Sequence, residues 1–362
     1  MSVSIAEKAS FQRQTTEVFS ERIAEILDAG AIAVMLSIGH RTGLFDLMAG
    51  LPPSTSERIA EEAGLAERYV REWLAVMTTG RIVHYDPARR TYHLPAEHAA
   101  CLTRAGALGN YAVYAQYVTL MGQVQEQILG CFETGDGLTY GHYPDFHQVM
   151  CEDSAQTVVA PLFETLLPWV PGLTQRLELG IDVLDAGCAR GRALIAMAER
   201  YPRSRFIGYD LCADAIANAT RAAQTAGLTN VEFAVRDLGQ FDERARYDLI
   251  TSFDAVHDQK DPQDLLRRLQ RALRPGGIYL MQDIGGSAHL EQNLDFPMAS
   301  LLYAVSCVHC TPVSLGQGGH GLGTMWGWET AQQMLTEAGF AESKRHVLPH
   351  DPMNVWFVSR KG

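Results

Sequence analysis

Three aspartates that end successive apolar segments are the residues whose types and spacing most directly indicate chemistry. The segment IDVLDAGCARG, residues 181–191, runs from an apolar stretch into Asp185 and then into a glycine-containing turn. Asp210 ends the next apolar segment and Asp237 ends the third. Carboxylates in these places can attract a cation and accept hydrogen bonds from ribose hydroxyls and an adenine amino group. The pattern therefore predicts a nucleoside-type ligand that carries a positive charge.

The glycine spacing of the first segment argues against a nicotinamide dinucleotide. Such a cofactor needs G-x-G-x-x-G, so that backbone amides can approach its pyrophosphate. The three corresponding residues here are Gly187, Ala189 and Arg192. A carboxylate at the end of the strand would repel a pyrophosphate but attract a sulfonium group. We therefore expect S-adenosylmethionine and not NAD.

A histidine and an aspartate follow the fourth apolar segment. The stretch FDAVHDQKDP contains His257 and Asp258, which are expected at the rim of the ligand site. Methyl transfer from a sulfonium is an in-line displacement, which needs alignment and, for a hydroxyl acceptor, removal of a proton. Histidine, with an ordinary pKa of about 6.5, can take that proton at neutral pH. The alternative is that His257 only packs beneath the following loop.

Two more clusters contain side chains capable of chemistry. An aromatic loop over residues 140–147 predicts either plain packing or a lid over a small-molecule site. The motif SCVHC, residues 306–310, has no second ligand pair at comparable spacing, so no metal site is predicted and the motif is expected to line the acceptor pocket or to pack. The residues predicted to contact the acceptor are Tyr140, His142, Tyr143, His147, His309 and Trp326.

The elements that must position these residues alternate in type from residue 181 onward. IDVLDAG, RFIGYDL, VEFAVRD, YDLITSF and GIYLMQDI predict five strands with helices between most of them. The tail SKRHVLPHDPMNVWFVSR predicts an antiparallel hairpin at the sheet edge. Together they predict an α/β fold with a Rossmann-like, doubly wound, seven-stranded sheet, which binds ligands at the carboxyl ends of its strands.

The N-terminal part predicts a winged helix. A capped helix turns at Gly64 into a second helix, and RIVHYD and TYHL follow as the two strands of a wing. We predict a winged-helix and dimerisation domain over 1–105, a helical connector and lid over 106–175, and a catalytic domain over 176–362. The apolar stretch 29–39 is shorter than the ~20 residues that a bilayer needs, so a buried helix is expected there.

Composition narrows the partners and the compartment. The formal charge of -12 argues against nucleic acid or an anionic membrane as a partner, because both need a cationic face. Seven scattered cysteines suit reduced thiols, and the N-terminal residues lack the apolar core of a secretory signal. We expect a cytoplasmic homodimer that acts on a small molecule.

As a set, several motifs resemble a known family. They are ERYVREWLAVM, VLDAGCARG, GYDL, AVRDL, SFDAVHDQKDP, LRPGGIYLMQDI and HGLGTMWGWETAQQMLTEAGF. Over nearly the whole chain, the sequence is similar to the class I S-adenosylmethionine-dependent methyltransferases of the two-domain bacterial type, which have an N-terminal winged helix and are related to the plant O-methyltransferases. The resemblance implies that His257 and Asp258 supply the base. It also implies a cofactor site formed by Asp185, Gly187, Cys188, Gly191, Asp210, Leu211, Asp237, Leu238 and Phe253.

The sequence departs from the family pattern at one position of the glycine loop, and it leaves three functions open. The family usually has glycine where this chain has Ala189, and the added methyl group narrows the loop. The favoured function is methylation of a small-molecule hydroxyl with His257 as base. S-methylation of a thiol or thioether is a second possibility, since sulfur is nucleophilic and depends less on a base. The third is a transcriptional regulator that senses the cofactor, but the expected recognition helix interleaves Arg68 and Arg71 with glutamates.

Overall fold

The structure is a computed structural model that describes residues 16–106 and 109–362. Within this part the chain forms two compact units, with the boundary in the sequence between Thr119 and Leu120. The domain boundaries predicted at residues 105 and 175 stay predictions.

The N-terminal unit contains the predicted winged helix. Thr55 accepts the Arg58 N–H at the start of the helix Ser56–Ala63, and Gly64 in the left-handed conformation ends that helix. Phe45 and Trp73 pack edge to face in the core of the unit, with ring centroids 5.2 Å apart. Two short strands, His84–Asp86 and Thr91–His93, pair antiparallel and form the wing. The elements are α1 (Thr16–Arg41), α2 (Leu44–Gly50), α3 (Ser56–Ala63), α4 (Glu67–Thr79), β1 (His84–Asp86), β2 (Thr91–His93) and α5 (Ala96–Leu102).

The helix expected over residues 29–39 is present within α1 but is only partly buried in the single chain: Ile32, Met35 and Leu36 pack against the core of the unit, whereas Val34 and Ile38 are exposed. The buried residues of α1 lie near its end, at Ser37, Gly39 and His40. Residues 16–31, the first part of α1, are exposed throughout. This part of the helix therefore lies outside the core of the unit. Its exposed large apolar side chains are Val18, Phe19, Ile23, Ile26, Leu27, Val34 and Ile38.

Two helical segments, Thr16–Arg41 and Ala299–Gly316, are long and apolar enough to cross a membrane by length and composition alone. The core helices of soluble proteins can meet the same criterion, and the apolar windows of these two are 17% and 33% buried in the chain. They are a weak indication of a membrane segment.

The C-terminal unit is built on the predicted seven-stranded sheet, which is confirmed. The strand order is β5-β4-β3-β6-β7-β9-β8, in which the first five strands are parallel and β9 and β8 join antiparallel. The order reverses beside β3, which is where doubly wound sheets bind ligands. The strands are β3 (Asp182–Ala186), β4 (Arg205–Asp210), β5 (Val231–Val235), β6 (Tyr247–Phe253), β7 (Leu273–Ile284), β8 (Glu342–Leu348) and β9 (Asp351–Arg360).

Helices cover both faces of this sheet because successive strand residues point to opposite sides. Leu184 and Ile250 belong to one buried apolar cluster, and their neighbours Val183 and Leu249 belong to the other. The helices of the chain from residue 111 onward are α6 (Tyr111–Gln123), which crosses the boundary between the units, α7 (Gln125–Thr134), α8 (Phe146–Ser154), α9 (Leu173–Leu179), α10 (Arg192–Arg200), α11 (Ala213–Thr225), α12 (Pro262–Ala272), α13 (Ala299–Val305), α14 (Thr311–Gly316) and α15 (Trp328–Glu337). Wider π turns follow α8 at Ala155–Val159 and Leu162–Leu166 and follow α13 at Ser306–Cys310.

Candidate active site

The loop between β3 and α10 depends on glycine for steric reasons. Gly187 and Gly191 both have left-handed backbones, with φ of 82° and 68°. A Cβ atom on Gly187 would lie 2.4 Å from the Cβ atom of Ala255, and one on Gly191 would lie 2.3 Å from the ring of Phe233. Only glycine keeps this turn close to the sheet edge, where a ligand can approach the backbone.

Asp210, at the end of β4, connects that loop to the next one. Its Oδ2 accepts the Ala189 N–H at 2.8 Å and its Oδ1 accepts the Cys212 N–H at 2.8 Å. A carboxylate has about four lone-pair directions, so this residue retains acceptor capacity for ribose hydroxyls.

The other two aspartates predicted from the sequence also lie at strand ends. Asp185 is buried and accepts the Thr251 hydroxyl at 2.7 Å, and burial raises its pKa to about 7. A cation beside it would favour its charged form. Asp237 accepts the Gly239 N–H at 2.8 Å and the side-chain amide of Gln240 at 2.9 Å, which organises the turn after β5.

A cleft of about 980 Å³, including its open mouth, runs along these strand ends. Its lining combines carboxylates with the apolar side chains of Leu211, Leu238 and Phe253, and at Gly187 a ligand can approach the backbone. This chemistry fits a nucleoside that carries a sulfonium group. All nine residues predicted to bind the cofactor line it, namely Asp185, Gly187, Cys188, Gly191, Asp210, Leu211, Asp237, Leu238 and Phe253.

His257 is a buried histidine held by a carboxylate that the sequence reasoning missed. Its Nδ1 is 2.8 Å from Asp283 Oδ1, and Trp326 Nε1 donates to the same oxygen at 3.0 Å. Because an ionised carboxylate can only accept a hydrogen bond, Nδ1 carries a proton. The other ring nitrogen, Nε2, lies 3.3 Å from Asp258 Oδ1. Burial alone would lower the pKa of His257, but Asp283 and Asp258 outweigh it and raise that pKa well above its usual value.

Asp258, rather than His257, lines the cleft. Its Oδ2 accepts the Tyr140 hydroxyl at 3.3 Å, whereas its Oδ1 makes no hydrogen bond within the described residues. The sequence predicted His257 and Asp258 as a pair, and the structure places them side by side. The carboxylate on Nδ1 is nevertheless Asp283, and its place at the end of β7 was the available signal, because the other aspartates also follow strands.

The predicted acceptor-contacting residues divide into three groups. Tyr140 and His147 line the cleft. Tyr143 and His309 are buried next to it, where Tyr143 donates to the Val308 carbonyl at 2.6 Å. His309 stacks on Phe146 with ring centroids 3.6 Å apart, and burial lowers its pKa to about 4.

The third group lies away from the cleft. His142 is exposed and contacts Thr139 at 3.2 Å. Trp326 packs in the core, and its Nε1 donates to Asp283, which in turn holds His257. Phe146, which belongs to the aromatic loop predicted as a possible lid, also lines the cleft, and the lining residues that sequence reasoning missed include Met150, Arg190, Arg236, Asp254, Gln259 and Gln317.

Both parts of the chain match family models. Residues 30–104 match the Rv2258c-like winged HTH domain, and residues 177–339 match a methyltransferase domain. A trans-aconitate 2-methyltransferase of Azoarcus sp. (strain BH72) is 32% identical over 126 residues, which are 35% of this chain and 45% of that protein. Methyltransferase ungE' of Aspergillus campestris (strain IBT 28561) is 25% identical over 267 residues, 70% of this chain and 71% of that protein.

The similarity in fold to solved structures covers nearly the full length of the chain. Human N-acetylserotonin methyltransferase in complex with SAM superposes with a TM-score of 0.68 at 15% identity, covering 97% of this chain and 99% of that one. The chain spans about half the length of the curated relatives that it matches first. With the winged HTH domain and the methyltransferase domain matched in this order, the chain belongs to the two-domain class I S-adenosylmethionine-dependent methyltransferases with an N-terminal winged helix.

Proposed function

We propose that this protein transfers the methyl group of S-adenosylmethionine to a hydroxyl group of a small molecule, with His257 as the base. The observation that carries the proposal is the orientation of the imidazole. Asp283 holds the Nδ1–H, which leaves Nε2 to accept a proton. Asp258 lines the cleft 3.3 Å from that atom, so the pair offers a path for the proton from the cleft to the imidazole.

The roles proposed for the other residues are those of side chains that line the cleft. Asp185, Gly187 and Gly191 shape the methionine end of the cofactor site, and Asp210 holds the ribose. Asp237 with Leu238 flanks the adenine. Tyr140 and His147, which come from the segment ahead of and within α8, contact the acceptor.

The segment around α8 is well placed to act as a lid. Arg190, in the loop after β3, donates to the Gln148 side chain of α8, and Arg192 donates to Cys151 Sγ at 3.8 Å. These two contacts connect α8 directly to the loop that is proposed to bind the cofactor.

The deciding experiment combines identification of the product with substitution of His257. Purified protein is incubated with methyl-labelled S-adenosylmethionine and pooled metabolites, and the atom that receives the label is identified. On that acceptor, His257→Gln is expected to lower kcat about 10²- to 10⁴-fold, the range for a general base, with nearly unchanged cofactor affinity.

The control is His142→Gln, an exposed histidine of the same unit, which should keep native turnover. A His257→Gln variant with near-native turnover on a hydroxyl acceptor would refute His257 as the base. Label on the sulfur of a thiol or thioether would instead refute O-methylation and favour S-methylation, which for a thioether needs alignment alone because there is no proton to remove.

We also propose that the enzyme is a cytoplasmic homodimer and does not use its winged helix on nucleic acid. The exposed apolar side chains of α1 support a protein partner. On α4 the arginines are paired within the helix, Arg68 with Glu72 and Arg71 with Glu67, so they present little free positive charge to phosphates.

A further inference from the structure

The SCVHC motif, which had no ligand partners in the sequence, acquires them in the structure. It forms the π turn Ser306–Cys310 after α13, and this turn buries two successive residues, His309 and Cys310. Ligand atoms of Cys310, His257 and Asp258 all lie within 4.8 Å of one another, and all three residues are buried.

The distances already approach those around one metal ion. Tetrahedral zinc binds nitrogen and oxygen at ~2.0–2.2 Å and sulfur at ~2.3 Å, which places neighbouring ligand atoms roughly 3.4 Å apart. His257 Nε2 and Asp258 Oδ1 are separated by 3.3 Å. That oxygen makes no hydrogen bond within the described part of the chain, although Asp258 is only 4% exposed.

The surroundings of the three ligands are those of a metal site. Histidines that bind metals commonly donate their other ring N–H to a carboxylate, which fixes the ring. Asp283 accepts from His257 Nδ1 in this way at 2.8 Å, and Trp326 holds that carboxylate in turn. The Thr324 hydroxyl donates to Cys310 Sγ at 2.9 Å, a contact that favours the thiolate, whereas burial raises the pKa of this thiol to about 12 when no ion is bound. Asp258 lines the cleft and gives an ion a route of entry.

We propose that His257 Nε2, the Asp258 carboxylate and Cys310 Sγ bind one divalent cation of the zinc type, and that this ion inhibits methyl transfer. On binding, the Cys310 thiol and the Nε2–H of protonated His257 each release a proton to solvent, and Nε2 and a carboxylate oxygen each share a lone pair with the ion. Three protein ligands leave a fourth direction for water. The inhibition rests on the proposed function, because the ion occupies the lone pair that would take the acceptor's proton.

Binding is tested independently of catalysis with Co²⁺ as the probe. Protein stripped of metal by a chelator is titrated with Co²⁺, and a thiolate-to-cobalt charge-transfer band is expected to saturate at one equivalent and to vanish when Zn²⁺ is added. Cys310→Ser should lose the band. The matched control is Cys307→Ser, an exposed cysteine in the same π turn, which should keep it.

Several outcomes would overturn the site. One is the absence of a charge-transfer band in the native protein, and another is an equal band in Cys310→Ser. Circular dichroism melting of both variants, expected to match the native protein, separates loss of a ligand from loss of fold. If His257→Gln shows that the proposed base is wrong, the Co²⁺ band still decides whether the metal site exists.

Inhibition is measured on the same proteins. Stoichiometric Zn²⁺ should lower turnover at least tenfold in the native protein and in Cys307→Ser. Cys310→Ser should need at least about tenfold more Zn²⁺ than the native protein to lose the same fraction of its own turnover, since even outer partners of a metal site change affinity 10- to 100-fold. Zn²⁺ that binds without lowering turnover would refute the inhibitory role.

Discussion

His257 lies between two carboxylates that act on different ring nitrogens. Asp283 fixes the ring and Asp258 faces the other nitrogen, and together they favour the imidazolium over the neutral ring. The charged histidine therefore contributes stability that is fully present below its unfolded pKa of about 6.5 and is lost as the pH rises through the raised folded pKa. The same electrostatics make His257 a stronger base that is less often unprotonated at neutral pH.

This balance predicts the pH dependence of the reaction. Turnover should rise as the pH rises through the raised pKa of His257, because only the neutral imidazole accepts a proton. Asp283→Asn removes one of the two charges that raise this pKa, so the rising limb of a plot of kcat against pH should move to lower pH. Asp295→Asn, at an exposed aspartate, should leave the limb in place. A limb that does not move in Asp283→Asn would show that another group titrates.

Residue types predicted most of the residues of the site but not the hydrogen bonds that connect them. Asp185, Asp210 and Asp237 could be located because each ends a segment of recognisable strand character. The partner of His257 could not be identified from its neighbours in the sequence, because Asp283 is 26 residues away and reaches it through the pairing of β6 with β7. Trp326 was expected to contact the acceptor, and it contacts Asp283 instead.

Among the elements, the loop between β3 and α10 contains a strained residue. Ala189 has a φ of 44°, in the left-handed region that costs a residue with a Cβ atom about 1 kcal/mol. Ala189→Gly should relieve this strain and raise the free energy of unfolding by up to about 1 kcal/mol, measured by urea titration. Affinity for S-adenosylhomocysteine, measured by calorimetry, should be equal or higher.

The control for this prediction is Ala226→Gly, at the end of α11 where φ is -78° and no strain exists to relieve. That change should destabilise the protein or leave its stability unchanged. Destabilisation by Ala189→Gly would mean that the alanine methyl group makes packing contacts worth more than the strain.

Regular elements could be predicted from the sequence, and irregular ones could not. The strands of the sheet follow apolar runs bounded by turn residues, and the hairpin of β1 and β2 follows its turn. A π turn differs from an α-helix by one extra residue and has no composition of its own. The burial of both His309 and Cys310 therefore had no sequence signal.

At the scale of the whole molecule, the exposed stripe on α1 predicts assembly. Phe19, Ile23 and Ile26 follow i, i+4, i+7 spacing and share one face of the helix. Phe19→Glu with Ile23→Glu should convert a dimer into a monomer, measured by sedimentation velocity, because burying two carboxylates in an apolar contact is costly. Glu25→Gln on the same helix should remain dimeric. A native protein that sediments as a monomer at micromolar concentration would refute the prediction.

The π turn at Ser306–Cys310 also has a consequence for how this enzyme can diversify. Because the turn contains one residue more than a helical turn requires, deletion of the exposed Cys307 codon would restore a continuous α-helix. A π turn completes one revolution with one residue more than an α turn, so the deletion would leave the relative orientation of α13 and α14 nearly unchanged and would shift only the residues within the turn. A single in-frame deletion is therefore enough, in one genetic step, to narrow the turn that buries His309 and Cys310 while leaving His257, Asp258 and Asp283 untouched in the sequence.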